Sequence, residues 1–222
     1  MKASLHLVKK IANRTLGMLS DKLFWKFRDI LDPKWPESYI APASLSHPHR
    51  ALLVEAIAAH APFETALEVG CASGPNLALL ARRFPQATLS GIDINAQAIK
   101  VGTRFLNDEH LHNVRLSTGG FDALSKIPDR SYDIVFTDAA LIYADAAHIG
   151  RIMAECARIA KKAIVLCEWN TEKPQSFLDG HWVHNYTALF PGRKVSVKKI
   201  PDTVWSGAWT AYGAIVDISL TG

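Results

Sequence analysis

Between Thr65 and Trp169 the chain alternates in a way that leaves few architectures open. Strand-like runs "TALEV", "TLSGID", "VRLS", "YDIVFTDA" and "KAIVLCEW" are separated by stretches of helical spacing around 75–83, 95–107 and 145–160. Parallel strands cannot be joined by tight turns, so each needs a crossover, and a right-handed helical crossover is the form that packs back onto the sheet. The alternation therefore predicts an α/β domain built on a doubly wound, mostly parallel sheet. A further helical stretch is expected over 173–190. Near the end, "RKVSVKKI" and "AYGAIVDISL" read as two strands joined by a short loop rather than a helix, so they should pair antiparallel at one edge. With 222 residues, 49% of them hydrophobic, there is material for one such domain and an appendage.

The appendage is N-terminal and carries the charge. Residues 1–36 hold eight Lys/Arg against three Asp, a balance of +5, whereas the rest holds 17 basic and 18 acidic residues. A nearly neutral main body is a poor binder of nucleic-acid backbone, so no nucleic-acid partner is expected. Leu5, Val8, Ala12, Leu16, Leu19, Leu23, Phe27 and Ile30 recur at helical spacing, with Gly17 as an interruption and Lys/Arg on the other face. A connector with Pro33, Pro36, Pro42 and Pro48 follows, then a helical stretch from about 49 to 60. This divides the chain into a helical extension and connector (1–48) and a main domain (49–222). The extension reads first as a lid or homodimerisation arm, second as a peripheral membrane contact, and third as a binder of an acidic partner. No apolar run is long enough to span a bilayer, and Lys9 and Lys10 break a would-be secretion signal. Cys71, Cys156 and Cys167 form no CxxC pair, which fits a reducing compartment. The expected location is the cytoplasm, or the inner face of its membrane.

The segment "LEVGCASGPN" (67–76) places small residues directly after the first strand, where the backbone must turn sharply and approach a ligand. Two frames compete. A dinucleotide loop needs G-x-G-x-x-G, but those positions hold Gly70, Ala72 and Pro75, which speaks against an NAD-linked oxidoreductase. The other frame is acidic-x-G-x-A-x-G, on Glu68, Gly70, Ala72 and Gly74. It resembles motif I of the class I S-adenosylmethionine-dependent methyltransferases, with Ala72 where glycine is more usual. "GIDIN" (91–95), "GGFDAL" (119–124) and "SYDIVFTDAALIY" (131–143) fit that family in order, so the resemblance covers about residues 60–170. It implies a Rossmann-like fold and S-adenosylmethionine as cofactor. In detail, Gly70, Cys71, Ala72 and Gly74 would pass beneath the methionine and ribose, Glu68 would support the loop or meet the amino group, and Asn76 would join the cofactor contacts. Asp93 would hold the ribose hydroxyls with its two carboxylate oxygens. Ile94 and Phe121 would flank the adenine, Asp122 would accept from its amine, and Asp138 and Ala139 would reach the methionine end. Plain structural roles compete: Asp93 and Asp122 as helix caps, Phe121 as core.

Methyl transfer asks mainly for alignment and exclusion of water, with a base for a hydroxyl acceptor. The candidates are His47 or His49 in "SHPHR", Asp138 and Tyr143 after the fourth strand, and Glu168 at the end of the fifth. The fourth strand exits through "TDAA" rather than the proline-containing motif of base and amide methylation. Cys167 reads as a buried core thiol. The pairs His47/His49, His110/His112 and His181/His184 are scattered, and no metal is expected. All six tryptophans lie outside 36–168, and Trp205 and Trp209 sit in the loop before the last strand, where indole faces suit a sugar ring, an aromatic or a lipid tail. The reading is an O-methyltransferase acting on a sugar-containing or other small-molecule acceptor, of the kind found in bacterial polysaccharide pathways. The other class in play is a non-catalytic protein that keeps the cofactor pocket.

Overall fold

The computed structural model describes residues 18–177 and 180–221. The apolar periodicity at Leu5, Val8, Ala12 and Leu16, with its break at Gly17, lies outside them. Four short helices come first: α1 (Met18–Lys26), α2 (Arg28–Leu31), α3 (Trp35–Ile40) and α4 (Pro42–Leu45). The connector is thus more ordered than its prolines suggest. Pro36, Pro42 and Pro48 each stand in a first helical turn, where the missing N–H costs nothing.

Helix α5 (Pro48–Ala58) leads into the alternating region: β1 (Thr65–Val69), α6 (Pro75–Arg83), β2 (Thr88–Asp93), α7 (Ala96–Asp108), β3 (Val114–Thr118), β4 (Tyr132–Asp138), α8 (Ile149–Ile159) and β5 (Ala160–Trp169). Two 3-10 turns, Phe121–Lys126 and Leu141–Tyr143, flank β4. There follow a small hairpin, β6 (Gln175–Ser176) with β7 (Trp182–Val183), then α9 (Tyr186–Leu189), β8 (Val195–Lys199), α10 (Ala208–Tyr212) and β9 (Gly213–Ser219). The main sheet has the order β3-β2-β1-β4-β5-β9-β8. The first five strands are parallel, and β9 pairs antiparallel with both β5 and β8. This is the Rossmann-like sheet with an antiparallel edge pair that the alternation predicts.

Two expectations fail locally. The described residues within 173–190 form the β6–β7 pair and the one-turn α9 rather than one long helix. Gly180 turns at φ 90°, and the Phe177 N–H donates to His181 O at 2.8 Å across the hairpin. Asp179-Gly180 is a hairpin signal in its own right, and Pro174 removes a donor a helix would need. The β8–β9 connection also contains a helix, α10, although the two strands remain antiparallel.

Strand alternation divides the core. Ala66, Ile134, Phe136 and Val165 face one layer with Leu53, Ile57, Leu77 and Leu80. Leu67, Val135, Ile164 and Leu166 face the other with Ile152, Met153 and Tyr186. Each such large side chain, taken fully from water, contributes about 1.5–3 kcal/mol. Gly102 on α7 allows close packing on the loop after β1, since a Cβ there would stand 2.5 Å from Ser73 O. Among the described residues no helix is long and apolar enough to cross a membrane.

Candidate active site

A cavity of about 540 Å³ opens where β1, β2 and β4 end, within the range usual for small-ligand sites. Its floor is the loop after β1. Gly70 takes φ 81°, and a Cβ there would meet the Ala140 Cβ at 2.6 Å, so only glycine lets the β1 and β4 exit loops lie this close. Gly74 turns at φ 75° into α6, and Ala72 takes the left-handed region at φ 47°. Asp93 ties this loop to the end of β2. Its Oδ2 accepts from the Ala72 N–H and its Oδ1 from the Asn95 N–H, both at 2.8 Å. Burial pushes its pKa up, and these two N–H groups offset part of that.

At the end of β4 a second network forms. Asp138 Oδ2 accepts from Asn76 Nδ2 at 3.0 Å and from Arg50 at 3.3 Å, and lies 3.1 Å from His49 Nε2. Arg50 also donates to Asn76 Oδ1 at 2.7 Å and to Ser44 O at 2.8 Å, and Asn76 donates to Glu68 Oε1 at 2.7 Å. Burial alone would raise the Asp138 pKa, but the His49 contact, Arg50 and Asn76 together hold it below the ordinary range. Glu68 goes the other way: burial pushes it well up, and the Asn76 bond offsets only part. Behind His49 stands His47, with the two Nδ1 atoms 2.5 Å apart, so one carries the shared proton. Trp205 stacks on the His49 ring with centroids 4.1 Å apart.

Of the residues singled out from sequence, Gly70, Ala72, Asp93, Ile94, Phe121, Asp122, Asp138, Ala139 and Tyr143 line the cavity. Glu68 and Asn76 form a buried layer beneath it. Cys71 is buried against Gly91, and burial pushes its thiol well up. His47 is the N-cap residue of α5 without capping through its side chain, and meets the site through His49 and the Trp205 ring. Glu168 does not face the cavity. Its Oε1 accepts from Thr137 Oγ1 and from the Ala140 and Leu141 N–H groups at 2.7, 2.9 and 3.0 Å, and its Oε2 from the Ile142 N–H at 3.3 Å. Its place in the fold is to hold the β4 exit loop, with burial raising its pKa to about 7.

The roof is N-terminal. Met18, Asp21, Lys22 and Trp25 of α1 line the cavity, as do Trp35 and Tyr39 of α3. Asn95 Nδ2 donates to Trp25 O at 3.0 Å and Asp29 Oδ1 at 2.8 Å, and Ser73 Oγ donates to Pro36 O at 2.8 Å. Sequence reasoning left these roof residues without roles, and likewise Arg50, His148 and Arg151. The start of α5 offered the one usable signal: a histidine and an arginine in the first turn after Pro48, both turned inward.

Two buried polar atoms on cavity-lining residues have no hydrogen-bond partner among the described residues, Asp138 Oδ1 and Trp25 Nε1. An unsatisfied buried acceptor and donor on the walls of one cavity are what a polar ligand would complete. With the Asp93 carboxylate at the β2 end, this donor set fits S-adenosylmethionine.

Comparisons with known proteins agree. Residues 66–163 match the family described as "Methyltransferase domain". Over 89 residues (40% of this chain) the sequence is 35% identical to a trans-aconitate 2-methyltransferase of Deinococcus radiodurans, and spans only 31% of that protein. In fold, the chain is similar to an O-methyltransferase family protein from Burkholderia thailandensis (TM-score 0.66, 15% identity, 88% of this chain and 63% of that one). It is also similar to the geranyl diphosphate C-methyltransferase of Streptomyces coelicolor, solved with S-adenosyl-L-homocysteine (TM-score 0.61, 16% identity, 84% of this chain and 81% of that one). Fold, loop and cavity define a Rossmann-like methyltransferase domain. The match over residues 66–163 and the fold support a class I S-adenosylmethionine-dependent methyltransferase, and S-adenosylmethionine is the cofactor of that class.

Proposed function

We propose that this chain transfers a methyl group from S-adenosylmethionine to a hydroxyl of a sugar-containing or other small acceptor. The cofactor supplies an electrophilic methyl group on a sulfonium. Asp93 would hold its ribose hydroxyls, Ile94 and Phe121 its adenine faces, Asp122 its adenine amine, and the Gly70–Ala72 loop with Ala139 its methionine end. The acceptor would lie beneath Trp25, against Tyr143, His49 and Trp205, whose flat faces suit a ring. The observation that carries the reading is Asp138 Oδ1, buried, on a cavity wall and without a partner among the described residues. There it receives the hydrogen bond of the acceptor hydroxyl and then its proton, while His49, Arg50 and Asn76 steady Oδ2. His47 backs His49, and the α1–α3 roof excludes water. Residues 18–45 act in this reading as a lid on the 49–222 domain.

Calorimetry with S-adenosylmethionine, S-adenosylhomocysteine and NAD, beside an Asp93→Ala variant, tests the cofactor. Micromolar binding of the first two, weakened at least about tenfold in the variant, supports the reading. Binding of NAD alone overturns it. An acceptor screen then begins with sugars. It includes carboxylic acids, because Arg151 rims the cavity and forms no ion pair among the described residues.

A further inference from the structure

Helix α1 is inside out for a soluble lid. Its buried residues are Ser20 and Asp21, and the side chains it turns to the cavity are Met18, Asp21, Lys22 and Trp25. The opposite face carries Leu19, Leu23 and Phe27 at i, i+4 and i+8, continued by Ile30 and Leu31 of α2, with exposures between 44 and 71%. Seven large apolar side chains are exposed among the described residues, and five of them are these. A helix normally turns its apolar stripe toward the protein. Here the polar face is spent on the cavity and the apolar face is left outside.

The charge around the stripe says what covers it. Asp29 is held by Asn95, Asp32 is paired with Arg28, and Asp21 is buried, so the acids of this segment are turned inward or matched. Lys26 and Lys34 stand exposed beside the stripe. The preceding residues 1–17 add Lys2, Lys9, Lys10 and Arg14 and no acid. A second copy would bring the same cationic patch against itself, and five half-exposed side chains fall short of the roughly 800 Å² per partner that a standard interface buries. Apolar side chains flanked by unmatched lysines complement an interface that is apolar beneath and anionic at its surface.

We propose that the outer face of α1 and α2 docks on an anionic phospholipid surface, with the lid lying in the headgroup layer. The active-site roof is then also the membrane contact, and the cavity opens beside the lipid rather than into bulk water.

The test uses the full chain, sedimented with vesicles of phosphatidylcholine alone or of equal parts phosphatidylcholine and phosphatidylglycerol. Partition onto the anionic vesicles is expected to be at least about tenfold stronger, and to weaken with added salt. A Leu23→Ser/Phe27→Ser/Ile30→Ser variant should lose at least about tenfold of it while binding S-adenosylhomocysteine within about twofold of the parent. A Lys26→Gln/Lys34→Gln variant, which leaves the apolar stripe intact, should lose binding to anionic vesicles only. Failure of the parent to partition overturns the proposal, as does equal binding to both vesicles. So does a parent dimer that the triple variant converts to monomer with no vesicle binding in either. Loss of S-adenosylhomocysteine binding by the parent would instead strike the methyltransferase reading, which the vesicle result does not touch.

Discussion

His49 Nε2 stands 3.1 Å from Asp138 Oδ2, with the Trp205 indole stacked on the imidazole at 4.1 Å. The pair joins the first turn of α5 to the end of β4, and leaves Asp138 Oδ1 buried without a hydrogen-bond partner among the described residues. Replacing His49 by alanine leaves Arg50 and Asn76 on the carboxylate but removes the strongest influence that holds the Asp138 pKa down against its burial. Turnover is expected to fall by about 10²-fold or more, the size of a lost proton-transfer contribution. Cofactor affinity, read by calorimetry, should stay within about threefold. Unchanged turnover would show that Asp138 needs no support from His49.

Glu168 gives stability a pH dependence of definite sign. Burial lifts its pKa from 4.5 to about 7, so the folded chain binds a proton there that the unfolded chain has released. The stabilisation is fully present below 4.5 and is lost as pH rises through about 7, a difference on the order of 3 kcal/mol. Glu168→Gln keeps an acceptor for Thr137, Ala140 and Leu141 without a titration. Thermal melting between these limits should fall with pH in the parent and fall less steeply in the variant, where the buried Glu68 and Asp93 still titrate. Parallel curves would place the dependence elsewhere.

Gly70→Ala tests the meeting of the two exit loops. The substitution imposes both an unfavourable φ of 81° and a 2.6 Å approach to the Ala140 Cβ. A loss of about 2 kcal/mol or more is expected in urea unfolding, with cofactor binding weakened beyond what stability explains. A variant of parental stability would mean that the loop relaxes freely.

Asn95 has two separable duties. Its Oδ1 caps α7 by accepting from the Ala98 N–H at 2.8 Å, while its Nδ2 holds the backbone of α1 and the Asp29 carboxylate. Asn95→Asp keeps the cap and removes the donor, setting two carboxylates side by side. Hydrogen exchange should quicken over residues 18–31 while α7 remains protected. Equal loss of protection in both would mean that cap and tether are one unit.

The sheet was legible because its runs of Leu, Val and Ile are bounded by loop residues and spaced for crossovers. The strand bounds Thr65–Val69 and Thr88–Asp93 are those of the quoted runs. The hairpin at 175–183 was misread because a few apolar residues near a short turn fit either period, and Asp179-Gly180 was the signal that should have decided it. The cavity walls from β1, β2 and β4 are local to their strands and so readable. The residues of the roof were not, although the extension itself reads as a lid: Trp25 and Tyr143 are far apart in sequence, yet their rings stand 5.1 Å apart, and only the tertiary fold brings them together. Glu168 sits at a strand's carboxyl end, as a catalytic acid would, and the three backbone N–H groups that claim it belong to another loop.

The tethers from Asn95 and Ser73 to the roof have a kinetic consequence. Both belong to loops that border the cavity, Asn95 two residues beyond Asp93 and Ser73 next to Ala72. Whatever occupies the cavity and whatever covers it therefore draw on the same short stretches of backbone. If these loops hold the cofactor as proposed, loosening of the roof and loosening of the loops would be coupled, and exchange of the occupant would share its rate with the opening of α1 and α3.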